Sequence, residues 1–139
     1  MKITDSDRFW SHVAGDSADD CWLWTSSLGV TGYGRFKFRG RAVRAHRYAY
    51  EALRSEIPGG LVLDHLCRNR ACVNPWHLEP VSQRANVLRG GGVAAQAAAK
   101  THCPQGHPYD SANTIVSSEG YRRCRTCCRI ADRLRRAAK

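Results

Sequence analysis

The sequence predicts a small α+β fold, stapled by bound metal and divided into two units by a flexible joint. Three observations predict it. The seven cysteines fall into short-spaced groups with histidines, which is metal-ligand spacing. Short apolar runs and one strongly alternating stretch read as strands, with helix-compatible segments between them. The run Gly90-Gly91-Gly92, followed by alanine-rich sequence to Lys100, breaks the chain near its last third.

A chain of 139 residues suits one small domain with an appendage. A core of that size gains from a metal or disulfide staple. Met1-Lys2-Ile3-Thr4-Asp5 lacks the apolar stretch of a secretory signal. No apolar run approaches the roughly 18 residues that span a bilayer. The expected location is therefore intracellular and cytoplasmic, where thiols stay reduced. An odd cysteine count also argues against a pure disulfide framework. With 22 Lys and Arg against 12 Asp and Glu, the net charge is +10. That balance favours a polyanionic partner, nucleic acid first.

The elements follow in order. Residues 5–13 suit a short capped helix with Phe9, Trp10 and Val13 buried. Cys21-Trp22-Leu23-Trp24 opens a strand-like region. In residues 33–47, Arg35, Lys37 and Arg39 alternate with Phe36 and Phe38, and Arg39-Gly40 signals a turn. A β-hairpin follows, apolar inside and basic outside; the stretch holds six Arg or Lys and no acid. Residues 45–54 suit a helix that ends before Pro58-Gly59-Gly60. Leu61 to His65 reads as a buried strand, residues 66–75 as a polar loop, and residues 78–81 as a strand limited by Pro80. Ser82 is a good cap for a helix from Gln83 to Arg89. The domain reading is 1–89, a joint at 90–100 whose alanine run is helical or disordered, and 101–139. The last segment carries eight Arg or Lys against three acids.

Two clusters have ligand chemistry. Cys103 and His107, then Cys124 and Cys127, form two close pairs separated by a hairpin-length insert with a turn at Gly120. A closed tetrahedral zinc site needs this spacing. Cys128 could replace Cys127, although the C-x-x-C spacing favours Cys127. The other group, Cys67, Cys72 and His77, leaves one position open. Cys21 is the available fourth ligand, giving a structural site; a three-ligand catalytic zinc with water is the alternative.

The passage Leu63-Asp64-His65-Leu66-Cys67-Arg68-Asn69-Arg70-Ala71-Cys72-Val73-Asn74-Pro75-Trp76-His77-Leu78, with Asn86 nine residues past His77, resembles the HNH nucleases. In detail it resembles the His-Cys box homing endonucleases. The close match runs from Asp64 to Arg89, with a looser match from Cys21 to His46. The resemblance implies a ββα-metal nuclease core stabilised by zinc, carrying a basic hairpin and a C-terminal zinc unit that ends in a helix. It implies that His65 is the general base and that Asn86 ligates a catalytic ion, with Asp64 helping to bind it. It also implies structural zinc on Cys21, Cys67, Cys72 and His77 and a second zinc in the C-terminal cluster. Asn74 matches the central asparagine that holds the loop. A phage genome is one source for such a protein.

The chemistry is coherent without the family. Phosphodiester cleavage needs an activated water, neutralisation of the phosphate and a stabilised leaving oxygen. A neutral histidine supplies the first. One Mg²⁺ or Mn²⁺ on Asp64 and Asn86 supplies the rest. Strand neighbours face opposite ways, so Asp64 and His65 need local irregularity to serve one site. His46 reads equally as a phosphate neighbour or a packing residue, and Arg89 as a phosphate contact or a solvated helix end.

Double-stranded DNA is the expected partner, with the protein a monomer or homodimer. Arg35, Lys37, Arg39 and Arg41 on a ribbon suit a major groove. Arg129 and Arg133 on a terminal helix suit backbone phosphate. The competing readings are a non-catalytic zinc DNA-binding protein and an RNA-directed protein.

Overall fold

The computed structural model describes residues 3–138. They form two compact units, the first running to Asn86 and the second from Val87. The sequence expectation put the boundary after residue 89. Here the division falls inside a helix.

The first unit opens with α1 (Asp5–Trp10), capped by Thr4, whose hydroxyl accepts from Asp7 N–H while the Asp7 carboxylate accepts from Thr4 N–H. This reciprocal box satisfies two of the helix's orphan donors. The helix is shorter than the 5–13 expected, because Val13 and Ala14 form β1 and pair with β2 (Leu23–Trp24).

Strands β3 (Arg35–Phe38) and β4 (Arg41–Arg44) form the basic hairpin. Arg39 (φ 47°) and Gly40 (φ 79°) both take left-handed backbone at its turn, the geometry that matches strand twist in a two-residue loop. Arg39 pays steric strain for this, and the Asp5 carboxylate accepts its N–H at 2.9 Å. Arg8 also reaches the Lys37 carbonyl, so α1 braces the ribbon at two points.

Helix α2 (Ala45–Leu53) follows β4 directly. It packs Ala45 and Ala49 against Phe9, Trp22, Trp24, Phe36 and Val73. Gly34 is required at the centre of this cluster. A Cβ there would lie 2.7 Å from the Trp24 ring and 2.8 Å from Ala45 Cβ.

Strands β5 (Leu61–His65) and β6 (Leu78–Ser82) pair antiparallel, from Leu61 opposite Ser82 to His65 opposite Leu78. Leu63 and Leu78 join Tyr50 and Ile57 in a second cluster. Pro80 is tolerated because the sheet has only two strands, so its missing donor costs no ladder bond on the outer edge. Ser82 Oγ accepts from Ala85 N–H at 3.1 Å and starts α3 (Gln83–Arg89). The order β5, β6, α3 is ββα.

The second unit contains α4 (Val93–Ala99), the hairpin β7 (Thr114–Val116) and β8 (Arg122–Cys124), and α5 (Arg125–Ala137). Residues 93–99 are thus helical, as alanine's propensity favours. Arg122 donates to the Ala98 and Lys100 carbonyls at 3.0 and 3.1 Å, satisfying groups that the end of α4 leaves bare. Among the described residues, no helix is long and apolar enough to cross a membrane.

Candidate active site and metal centres

Backbone pairing builds the first metal centre. Trp24 N–H donates to Ala71 O at 2.9 Å and Val73 N–H to Trp22 O at 2.8 Å. Segment 22–24 is thereby zipped to segment 71–73, which carries Cys21 beside Cys72. Asn74, fully buried, completes the joint. Its amide donates to Ala18 O at 3.0 Å and Asp20 O at 2.7 Å, and its Oδ1 accepts from Trp76 N–H at 3.0 Å.

The result brings Cys21, Cys67, Cys72 and His77 together, with all ligand atoms within 4.8 Å of one another. Cys21 Sγ and Cys72 Sγ each lie 3.7 Å from His77 Nδ1. A tetrahedral zinc with ordinary bond lengths has sulfur–nitrogen edges of about 3.6 Å and sulfur–sulfur edges of about 3.8 Å. Burial and the neighbouring Cys67 push Cys72 up to about 12, so this thiol keeps its proton unless a cation sits beside it.

The second unit repeats the chemistry. Cys103, His107, Cys124 and Cys127 converge within the same limit. Cys103 Sγ is 3.5 Å from His107 Nδ1 and 3.7 Å from Cys127 Sγ, and Cys127 Sγ is 3.3 Å from His107 Nδ1. Burial works against the Cys124 thiolate, but the N–H of Cys127 and the amide of Asn113 bring it down to about 6. Both clusters could hold zinc. Cys128 lies outside the second cluster, as the C-x-x-C spacing predicts.

His65 ends β5 and is buried. Its Nε2 lies 3.1 Å from Cys72 O. A carbonyl only accepts, so Nε2 carries the proton and Nδ1 keeps its lone pair. Burial lowers the His65 pKa, opposed by the Cys72 carbonyl and the Asp64 charge, and a neutral imidazole results at pH 7. The ring packs 4.8 Å from His46 and 5.6 Å from Tyr33. Asp64, 2 % exposed, accepts from Arg68 Nη1 at 2.7 Å. A buried carboxylate needs a cation beside it. Arg68 is one, and the hard oxygen donor equally suits a divalent ion.

The strand runs regularly through His65, without the irregularity expected near Leu66, yet the Asp64 charge still acts on the His65 ring. Asn86 is half-buried on α3, and none of the site's hydrogen bonds among the described residues involves its amide.

The hairpin register revises which basic residues share a face of the ribbon. Residues directly opposite share a face, and Arg35 faces Arg44, Lys37 faces Ala42, and Phe38 faces Arg41. Arg35, Lys37 and Arg44 therefore lie on one face. Arg41 lies on the phenylalanine face near the tip, exposed, and Arg39 sits in the turn. Period-two counting cannot be carried across a two-residue turn. Arg129 and Arg133 are exposed on α5.

Three residues escaped the sequence reading. Tyr33 lies beside both His46 and His65, and its ring is covered by the guanidinium of Arg44 at 4.6 Å and of Arg70 at 5.6 Å. Arg70 is also tied to Thr31 O at 3.0 Å. Their signals were faint: Arg44 is two residues before His46, and Tyr33 precedes the tight Gly34.

A ββα element with a tautomer-fixed histidine, a buried aspartate beside it and a Cys/His knuckle in its loop defines a class. Residues 43–88 match the family model described as HNH endonuclease, and this segment is an HNH-type domain. Among curated proteins, the chain is similar to Protein 7.7 of Escherichia phage T7, 40% identical over 60 residues, which are 43% of this chain and 46% of that one. It is also similar to the uncharacterized gene 5.3 protein of Enterobacteria phage T3, 36% identical over 44 residues, 32% of this chain and 44% of the other. The chain thus spans less than half the length of these relatives. No solved structure matches it significantly.

Proposed function

We propose that the protein is a divalent-metal-dependent DNA endonuclease in which His65 activates the attacking water. The observation that carries this reading is the bond from His65 Nε2–H to Cys72 O. It leaves Nδ1 as a neutral base, beside a buried carboxylate, at the end of a strand whose following loop is pinned by a metal knuckle. Nδ1 takes a proton as the water oxygen attacks phosphorus, and the bond to the leaving ester oxygen breaks. Asp64 and Asn86 are the ligands for Mg²⁺ or Mn²⁺, which when bound would neutralise the phosphate and the leaving oxygen. The two Cys/His clusters hold structural zinc, an arrangement that favours likeness to the His-Cys box enzymes.

Double-stranded DNA is the substrate in this reading. The exposed Arg35, Lys37, Arg39, Arg41 and Arg44 of the ribbon hold it, with Arg129 and Arg133 on backbone phosphate. Its setting is inside an infected cell, given the phage relatives. One site per chain makes a nick the product of a monomer, while a homodimer could cut both strands.

The test is conversion of supercoiled plasmid to nicked circle with Mg²⁺ or Mn²⁺. His65→Ala should slow nicking by about 10²–10⁴-fold. Failure of the wild type to nick with any divalent ion would leave a zinc-containing DNA-binding protein as the better reading. Equal rates in the two proteins would remove His65 as the base.

A further inference from the structure

We propose that His46 is a second catalytic residue, donating a hydrogen bond from Nε2–H to a non-bridging oxygen of the scissile phosphate. The inference rests on the nuclease reading above and adds a residue to it.

Position comes first. His46 lies in the first turn of α2, its ring centroid 4.8 Å from that of His65 and the planes at 69°. A hydrogen bond spans about 2.9 Å between heavy atoms. Rings this close can both reach atoms of one phosphate bound beside them.

Packing alone gives no reason for an imidazole here. His46 is only 5 % exposed, next to the buried Ala45 and Ala49 in sequence and helix, and its ring lies 5.2 Å from Tyr33. Phenylalanine would fill such a place. Histidine instead seals Nδ1 away with no hydrogen-bond partner, a desolvation cost that nothing repays. A local rule broken at such cost marks a functional site. Only Nδ1 of the two ring nitrogens is sealed in this way, so Nε2 is the one left to meet a substrate.

Charge state supports the same role. Burial first, then His65, Arg44 and Arg47, push His46 down to about 3, so the ring is neutral with one N–H. Sealed Nδ1 has no acceptor for that proton, which places it on Nε2. A neutral donor assists the phosphate without a second cation lowering the basicity of His65. A buried neutral imidazole at a helix start is a known way to polarise a reacting oxygen. The exposed Arg44 and Arg70, stacked on Tyr33, supply the positive rim that draws the phosphate in.

The experiment compares the zinc-loaded full chain with His65→Ala, His46→Phe, His46→Asn and His46→Gln in plasmid nicking with Mn²⁺. Zinc content, tryptophan fluorescence and plasmid affinity are measured alongside. Phenylalanine keeps the ring contacts and loses the donor. Asparagine carries its amide only as far as Nδ1, whereas glutamine reaches the Nε2 position. Nicking should fall by about 10²–10³-fold in His46→Phe and His46→Asn, the loss typical of one phosphate-directed donor. Glutamine should recover at least about tenfold of it, with zinc and plasmid affinity unchanged. A wild-type rate in His46→Phe would overturn the proposal, as would an asparagine variant that matches or exceeds glutamine. Either result leaves the nuclease reading standing provided His65→Ala is slow. A wild type that never nicks overturns both.

Discussion

Asn74 is the side chain through which the fold and the first metal centre can be tested together. Its amide donates to the carbonyls of Ala18 and Asp20, and its Oδ1 accepts from Trp76 N–H. It ties the approach to Cys21 to the turn that leads into His77. Asn74→Ala removes three well-formed hydrogen bonds from a site of zero exposure. At about 1 kcal/mol net for each, the loss is about 3 kcal/mol before any cavity term. For a unit of this size that corresponds to a fall of roughly 15 °C in melting temperature. Asn74→Asp is the sharper variant. It can still accept from Trp76 N–H, but it sets a carboxylate oxygen against two carbonyls and should destabilise at least as much. All four tryptophans, Trp10, Trp22, Trp24 and Trp76, lie in the first unit, so their fluorescence reports its unfolding selectively. Both variants should also release zinc to a chelator more readily, from one site of the two. Unchanged fluorescence melting and zinc retention in Asn74→Ala would refute the claim that this residue closes the first metal centre.

Two further outcomes are expected. Cys124→Ser should lower bound zinc from about two ions per chain to one, while the tryptophan unfolding curve stays in place; a shifted curve would show that the second centre supports the first unit. His46 predicts an acid sensitivity of known sign. Its folded value of about 3 lies below the ordinary 6.5, so the unfolded chain takes up the proton first as pH falls. The stability is present above 6.5 and is lost progressively towards 3. Between pH 7 and 5.5 the loss is about 1 kcal/mol. His46→Phe should lose less than wild type over that interval by this amount, measured by denaturant unfolding with tryptophan fluorescence; equal losses would contradict a buried neutral ring.

Several elements were legible because their signals are local. The turn at Arg39-Gly40, the cap at Ser82 and the helix before Pro58 each depend on a few neighbouring residues, and they stand near where the sequence puts them. The ligand sets were legible for a related reason. Cys103 with His107, and Cys124 with Cys127, are close enough in sequence to wrap one ion. Cys21 was reachable only by elimination, since 46 positions separate it from Cys67. What delivers it is the pairing of segment 22–24 with 71–73.

The faces of the hairpin were not legible in full. Alternation within β3 is local, but the turn decides which residue of β4 joins which face, and that moved Arg41 and brought in Arg44. Helix α1 was overextended for a similar reason, because residues 13–14 gain more from pairing with β2 than from another helical turn.

By itself the sequence determined the identities that chemistry requires: the histidine and aspartate of Asp64-His65, two sets of four zinc-type ligands, and a basic ribbon. Those follow from residue type and short spacing. Only the tertiary structure decided the state in which they act. His65 keeps its Nδ1 lone pair, as the proposed base role needs, because Cys72 offers a carbonyl to Nε2, and Cys72 is held there by its pairing with Leu23. His46 and Tyr33 join the site because the glycine at position 34 lets the hairpin close onto Trp24 and Ala45. A proton's position and a ring's neighbours depend on contacts between distant segments, and no local pattern records them.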